Sequence, residues 1–288
     1  MLNLLEFPSE ASSKTLSPHR IGRTVTRALY TELMLYPKPG LVSPVDRGSH
    51  EDMDAATFLR SLFALRGYFC DIAVSAADDA TFQQLRQLGI AAEAHMLKAT
   101  GGVNTHRGAI FTLGLLVAAT AHLASLDRPI TDQALADAVR QRWGEALAGS
   151  AQTAELPSHG EIAARRYGAG GARAEAAAGF PLLFSVGLPA LRHTLETTGS
   201  KQRAQVQTLF ALIAQLEDTN LLYRGGVEGL AYARRTARRF LAAGGTLNKD
   251  WEQHAIAIHR AFVRRRLSPG GSADLLAAAW FVHLLDRG

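Results

Sequence analysis

The chain has 288 residues, 47% of them hydrophobic, one cysteine and a formal net charge of +5. The length admits one or two domains, and the lone cysteine, Cys70, excludes both a disulfide framework and a cysteine zinc site. Aromatic residues make up only 7% while alanine is abundant, which favours close-packed helices over a β-sandwich; the basic groups are mostly arginine and suit an anionic ligand.

Residues 1–16 read as a loosely ordered segment, with no basic stretch ahead of Glu6 and so no secretory signal. Ser17-Pro18 starts a helix that runs to about Tyr36, with Ile21, Val25, Leu29 and Leu33 on one stripe. Pro37 and Pro39 stop it. Further helices are predicted at about 55–76, 81–98, 108–126 and 131–149. A polar, glycine-rich middle from Gln152 to Gly179 holds only short helical pieces. Helices resume at about 181–197, 202–216, 227–243, 247–265 and 272–285. The stretch Gly108–Leu126 carries no formal charge and approaches membrane-span length, but its Ala, Thr, Gly and His122 content reads as the centre of a helical bundle. No alternating strand pattern and no internal repeat are visible. The prediction is one all-α domain of about ten helices over 17–288, cytoplasmic and not membrane-inserted.

The opening loop, Pro37-Lys-Pro-Gly-Leu-Val-Ser-Pro-Val-Asp-Arg-Gly-Ser-His-Glu-Asp-Met-Asp54, has three prolines and two glycines, so it cannot be regular helix. It carries Lys38, Asp46, Arg47, His50, Glu51, Asp52 and Asp54 between two helices that hold it still, a common way to build a site. Its plain alternative is a connector in which Ser49 or Asp54 caps the next helix. Five Gly-Gly pairs occur, at 101, 170, 225, 244 and 270, and all but the pair at 244 lie beside dense polar residues. Glycines let a backbone approach a ligand and offer its N–H groups. None forms a Walker loop or a strand-plus-GxGxxG unit, so a nucleotide would sit in a helical pocket.

Thr100-Gly-Gly-Val-Asn-Thr-His-Arg-Gly108 opens the most apolar helix, where Asn104, His106 and Arg107 meet free N–H groups that attract an anion. Asn104 or Thr105 can also cap that helix. Glu161 and Arg165 lead into a glycine-rich turn and Arg173; being four apart, the first two can also be a surface pair. Glu217-Asp-Thr-Asn220, followed by Arg224, Gly225 and Gly226, places two acids at a helix–turn–helix junction. Acids at a helix C-terminus oppose its dipole, so Arg224 or a metal is expected to compensate. Ser268, Gly270, Gly271, Ser272 and Asp274 form another helix start, with Ser272 as a cap. The hard oxygens of Asp52, Asp54, Asp218 and Asn220 suit Mg²⁺ better than zinc. Asp52 and Asp54 would diverge on a helix and can share an ion only on irregular backbone.

Six ordered segments resemble the triphosphoribosyl-dephospho-CoA synthases, which serve malonate decarboxylase and citrate lyase. They are Tyr36-Pro-Lys-Pro-Gly-Leu-Val42, Gly48-Ser-His-x-Asp-Met-Asp54, Gly102-Val-Asn-Thr-His-Arg-Gly-Ala-Ile110, Arg166-Tyr-Gly168 with Gly171-Ala-Arg173, Glu217-Asp-Thr-Asn220 with Arg224-Gly-Gly226, and Leu267-Ser-Pro-Gly-Gly-Ser-Ala-Asp-Leu275. The resemblance implies transfer of the 5-triphosphoribosyl group of ATP to the 2′-hydroxyl of 3′-dephospho-CoA. Adenine is released, and the α-linked product is the prosthetic-group precursor of an acyl-carrier subunit. The stand-alone chain looks more like the malonate decarboxylase branch.

Inversion at a β-nucleotide implies single displacement through an oxocarbenium-like transition state. It needs a base for the hydroxyl and a donor for the departing adenine. The expected roles are metal binding by Asp52, Asp54 and Asp218 and proton abstraction by Glu217. The opening-loop acids would face Glu217-Asp218 across the pocket. Arg107, Arg173 and Arg224 would hold phosphates, and the remaining polar loop residues would bind substrate. Mg²⁺ is the expected cofactor. ATP and 3′-dephospho-CoA are the expected partners, with the downstream transferase, the acyl-carrier subunit and a second copy of the chain as further candidates. Competing readings are an Mg²⁺-dependent helical hydrolase of nucleotides or ADP-ribosyl groups and a basic nucleic-acid binder. The latter rests on Arg234, Arg235, Arg238, Arg239 and Arg264 to Arg266, which read more simply as a solvated face or a docking surface.

Overall fold

A computed structural model describes residues 16–149 and 159–286. Residues 1–15, 150–158 and 287–288 lie outside the described residues. Those described form thirteen α-helices and no strand. The expected count of about ten rises for two reasons. The run over 55–76 is two helices, α2 (Ala55–Ala64) and α3 (Arg66–Ala77), meeting at Leu65. The glycine-rich middle supplies two short helices, α7 (His159–Tyr167) and α8 (Gly171–Ala177).

The first helix, α1 (Pro18–Leu33), starts where Ser17 accepts the Arg20 N–H and ends short of Tyr36. Thr81 and Gln84 form a reciprocal capping box at the start of α4 (Phe82–Thr100). The most apolar helix, α5 (Arg107–Ser125), is long and apolar enough to cross a membrane, yet 72% of that window is buried inside the protein. It packs against α1, α3, α4, α8, α13 and the helix after it, α6 (Asp132–Gly149). Every face of α5 meets another helix, which is why its sequence shows no amphipathic stripe.

A π-helical turn (Leu183–Gly187) feeds α9 (Leu188–Thr198), and α10 (Lys201–Gln215) runs antiparallel to it across a short Gly199-Ser200 turn. The next helix, α11 (Thr219–Ala242), starts eight residues earlier than expected and kinks at Gly226, whose φ of 60° and ψ of −162° suit only glycine. A 3₁₀ turn precedes α12 (Trp251–Arg264), and α13 (Gly270–Leu285) is almost wholly buried. Arg192 clamps α9 to Asp132 of α6 and to Asp286 after α13.

Two expectations change here. Arg235, Arg238, Arg239 and Arg264 to Arg266 are exposed, but Arg234 and Arg238 do more than face solvent: their guanidinium N–H groups donate to the carbonyls of Gln215, Leu216 and Ala214, the open end of α10. Cations at a helix C-terminus satisfy orphan carbonyls and the dipole together. Asp218 is likewise not an acid opposing a helix end. It is the N-cap of α11, where Oδ1 accepts the Asn220 and Leu221 N–H groups, and Oδ2 accepts the N–H and hydroxyl of Ser272 in α13. One buried carboxylate, 1% exposed, thus ties two helix starts together, and no compensating cation is required. Asp218→Ala is expected to destabilise the protein by about 2–4 kcal/mol, the scale of a lost cap plus orphaned buried donors. An unchanged urea midpoint would show that the double cap carries no stability.

Candidate active site

The opening loop has few backbone hydrogen bonds of its own, and distant side chains set its path. Gly40 has a φ of +68°, and a Cβ there would lie 2.0 Å from the Leu267 carbonyl oxygen. That same oxygen accepts the Ser49 hydroxyl at 2.6 Å. His259 of α12 bridges Asp46 Oδ2 at 3.0 Å and the Lys38 carbonyl at 2.6 Å. Arg224 of α11 donates to the carbonyls of Ser49 and Arg266 at 3.0 and 3.3 Å, and to His50 Nδ1 at 3.0 Å. An arginine can only donate. His50 Nδ1 is therefore the acceptor, and Nε2 carries the hydrogen toward Ser268 Oγ at 2.9 Å. Burial and Arg224 push the His50 pKa down to about 4 against the opposing pull of Asp52, so this imidazole is neutral.

The loop so held closes one side of a cavity of about 530 Å³, within the range of small-molecule sites. Its other walls are the end of α1, the 101–108 loop, Phe58 of α2, Asn220 and Arg224 of α11, and the start of α13. The 101–108 loop turns into α5, where Asn104 Oδ1 accepts the Arg107 N–H at 3.2 Å. Arg107 lines the cavity while its guanidinium pairs with Glu93 of α4.

Two carboxylates reach the inner end. Glu32 accepts from the Lys38 ammonium at 2.7 Å, and the Glu32 carbonyl accepts from it at 2.8 Å. Lys38 is 1% exposed; burial lowers its pKa, with Glu32 opposing. Asp274 meets solvent through the cavity that it lines. It has no hydrogen bond to any described residue, and a Cβ on Gly108 would lie 2.0 Å from its Oδ2. The absent side chain at Gly108 is what lets this carboxylate reach the first turn of α5. Burial, then Glu32, then Asp218 hold the Asp274 pKa well above the usual carboxylate range. A smaller cavity of about 60 Å³ adjoins the first; Asn220 and Asp274 line both, and Glu217, Asp218 and Gly271 line only the smaller.

A family model described as ATP:dephospho-CoA triphosphoribosyl transferase matches residues 18–288. The chain belongs to that family. It is 40% identical over 268 residues to the probable 2-(5''-triphosphoribosyl)-3'-dephosphocoenzyme-A synthase of Acinetobacter calcoaceticus, covering 93% of this chain and 91% of the relative. It is also 40% identical over 283 residues to the synthase of the same name from Klebsiella pneumoniae, covering 96% and 94%. The Pectobacterium atrosepticum synthase is 39% identical over 270 residues, covering 91% and 88%. No solved structure gives a significant match. All six segments that carry the resemblance lie within the matched region, so this is a triphosphoribosyl transferase throughout.

In the transferase fold the predicted residues divide. Lys38, His50, Asp52, Asn104, His106, Arg107, Asn220, Arg224, Ser268, Gly270 and Asp274 line the large cavity. Asp54 does not: it caps α2 by accepting the Thr57 N–H and hydroxyl, and it lies 3.6 Å from Arg47. Asp54 is thus the cap that the connector reading expects. Glu217 is exposed and accepts the Gly170 N–H at 3.3 Å. The opening-loop acids and the Glu217-Asp218 pair therefore do not face one another across one cavity. Arg165 is exposed on α7, Arg173 lies on α8, and neither lines either cavity. Gly225 packs on Leu267, Gly226 kinks α11, and Ser272 serves Asp218. The side chain of Glu161 lies outside the described residues.

Sequence reasoning missed Glu32, Ser61 and His259. Glu32 sits in the last turn of an amphipathic helix, and nothing local distinguishes it from a solvated face. Because only Arg107 and Arg224 reach the cavity, their alanine variants are expected to weaken ATP binding by about 1.5–3 kcal/mol, the scale of a charged hydrogen bond. Arg173→Ala should leave it nearly unchanged. Titration calorimetry decides, and an equal loss in all three would place the triphosphate elsewhere.

Proposed function

We propose that the 530 Å³ cavity joins the 5-triphosphoribosyl group of ATP to the 2′-hydroxyl of 3′-dephospho-CoA, with Asp274 as the base. The product serves the acyl-carrier subunit of malonate decarboxylase or citrate lyase. The observation that carries the assignment is the state of Asp274. Among the acids lining this cavity, Glu32 is held by Lys38 and Asp52 sits at the rim, 60% exposed. Asp274 alone is partly buried and without a hydrogen bond to any described residue.

In this reading the acceptor oxygen attacks C1 of the ribose while its proton passes to Asp274. The C1–N bond breaks with its electron pair on adenine, and the triphosphate stays on C5. Inversion in one step needs no covalent enzyme intermediate. Arg107 and Arg224 hold the triphosphate and thereby fix C1, so much of the rate comes from positioning. Glu217, the base expected from sequence, is replaced in this role because it is exposed and outside the main cavity.

Mg²⁺ remains part of the proposal in a reduced form. Asp218 commits both oxygens and Asp54 its Oδ1 to helix caps, and the described residues contain no cluster of three metal-binding side chains. A dedicated protein cage therefore does not fit. An ion that arrives with the triphosphate and takes one protein carboxylate does fit, and Asp52 is the carboxylate available. When bound, it would neutralise phosphate charge.

Asp274→Asn should lower turnover by at least about 100-fold, on the scale of a lost general base, with ATP affinity retained. Glu217→Gln should stay within a few-fold of the unmodified enzyme. In the unmodified enzyme kcat/KM should rise with pH along a limb above the usual carboxylate range, because the base must be ionised and burial raises its pKa. The assay is adenine release from ATP with and without dephospho-CoA. Release without the acceptor would favour a hydrolase, and full turnover in Asp274→Asn would remove the base assignment.

A further inference from the structure

The triphosphate and the acceptor hydroxyl now have partners, but the departing adenine does not. His106 is the N-cap residue of α5, yet its side chain makes no capping bond. Its ring packs inward instead, with Nδ1 2.6 Å from the Ser61 hydroxyl of α2. His106 is 3% exposed and Ser61 fully buried. Nε2 is buried with no hydrogen-bond partner, and so is the neighbouring hydroxyl of Thr105. A buried polar atom left without a partner is rare in a native fold and calls for an explanation such as a missing ligand. Both residues line the large cavity, so a group seated there is the partner that remains.

The surroundings suit a purine. Leu33, Val42 and Met53 form a hydrophobic cluster separate from the main core, with Phe58 and Val103 packed on it. Val42, Met53, Phe58 and Val103 also line the cavity. The Phe58 ring stands edge-on to His106, with centroids 4.9 Å apart and planes at 74°. Sites for heteroaromatic ligands combine apolar walls with a few fixed polar groups. Two other nitrogen donors that line the cavity are already engaged. Lys38 is held by Glu32, and both ring nitrogens of His50 have partners.

We propose that His106 is a catalytic residue whose Nε2–H donates a hydrogen bond to a ring nitrogen of adenine as the C1–N bond breaks, and that Ser61 is the positioning residue that fixes this tautomer. The proposal rests on the reading of the cavity given above. The Ser61 hydroxyl has no other hydrogen-bond partner among the described residues. When it donates to Nδ1, the ring hydrogen must sit on Nε2. Burial and Lys38 push the His106 pKa down to about 3, so the ring donates as a neutral imidazole, not as an imidazolium. A neutral imidazole N–H can stabilise negative charge developing on a reacting group, and the same principle in triosephosphate isomerase is a known precedent. The electron pair leaving C1 spreads over the base, and a donor already in place meets it without reorganisation. The adenine acquires its proton from solvent after departure.

The test pairs enzyme variants with altered leaving groups. Transfer to dephospho-CoA is measured with ATP, 7-deaza-ATP and 3-deaza-ATP for the unmodified enzyme, His106→Ala and Ser61→Ala. The unmodified enzyme should lose a large factor in kcat with the analogue that lacks the bonded nitrogen. His106→Ala should lose about 100-fold with ATP, and its penalty for that one analogue should shrink by about tenfold or more. Ser61→Ala should lose about tenfold with ATP and show the same reduced penalty. Equal penalties in all three enzymes for both analogues would overturn the proposal. So would an unmodified enzyme indifferent to both analogues, an outcome that needs no variant to fold. Asp274→Asn separates the two readings. If it keeps full activity while the analogue pattern holds, the base assignment fails and the adenine donor stands. If it is inactive while the pattern is absent, the reverse is true.

Discussion

The Leu267 carbonyl is the point on which the opening loop turns. A segment with three prolines cannot build a hydrogen-bonded ladder, so its position must come from groups elsewhere in the chain. Leu267 supplies one: its oxygen takes the Ser49 hydroxyl, and the bare Gly40 backbone closes on it at a distance no side chain would allow. His259 and Arg224 finish the clamp from α12 and α11. Lys38, His50 and Asp52 reach the cavity because this clamp puts them there. A loop fixed by side chains from several helices can form one wall of a site and still be rigid, which positioning catalysis requires.

The acids around the cavity differ by partner, not by type. A buried carboxylate is costly unless charge or hydrogen bonds compensate it. Glu32 has a lysine ammonium, Asp218 has four donors from two helix starts, and Asp54 has a threonine's N–H and hydroxyl. Each has a partner and is committed to structure. Asp274 has none of these, and burial, then Glu32, then Asp218 raise its proton affinity. A group left in that state is expensive for the fold and useful to the chemistry, which is the usual relation between strain and function.

Local capping chemistry accounts for much of what seemed functional along the chain. Asn104 was both a candidate ligand and a candidate cap, and it caps Arg107 while lining the cavity. Arg234 and Arg238, candidates for a docking face, close the end of α10. The starts of α2, α5, α11 and α13 bring capping residues close to the site. Helix N-termini attract anions whether these belong to the protein or to a ligand, so caps and phosphate contacts share one neighbourhood and one residue vocabulary.

The helical class, the starts at Ser17-Pro18 and Thr81, and the buried character of α5 were legible from the chain alone. They depend on spacings of three or four residues, which sequence displays directly. Family membership was legible too, because its six segments keep their order from Tyr36 to Leu275. The glycine-rich middle read as short helical pieces without bounds, and the limits of α7 and α8 came from the fold, since short helices need tertiary packing more than propensity. Tertiary structure alone decided which acid is a cap and which is free. Asp218 reaches Ser272 across 54 positions, Arg224 reaches Ser49 across 175, and His106 reaches Ser61 across 45. A carboxylate or an imidazole takes its role from whichever donor or acceptor stands within about 3 Å, and no local pattern reports a neighbour that the fold brings from so far away.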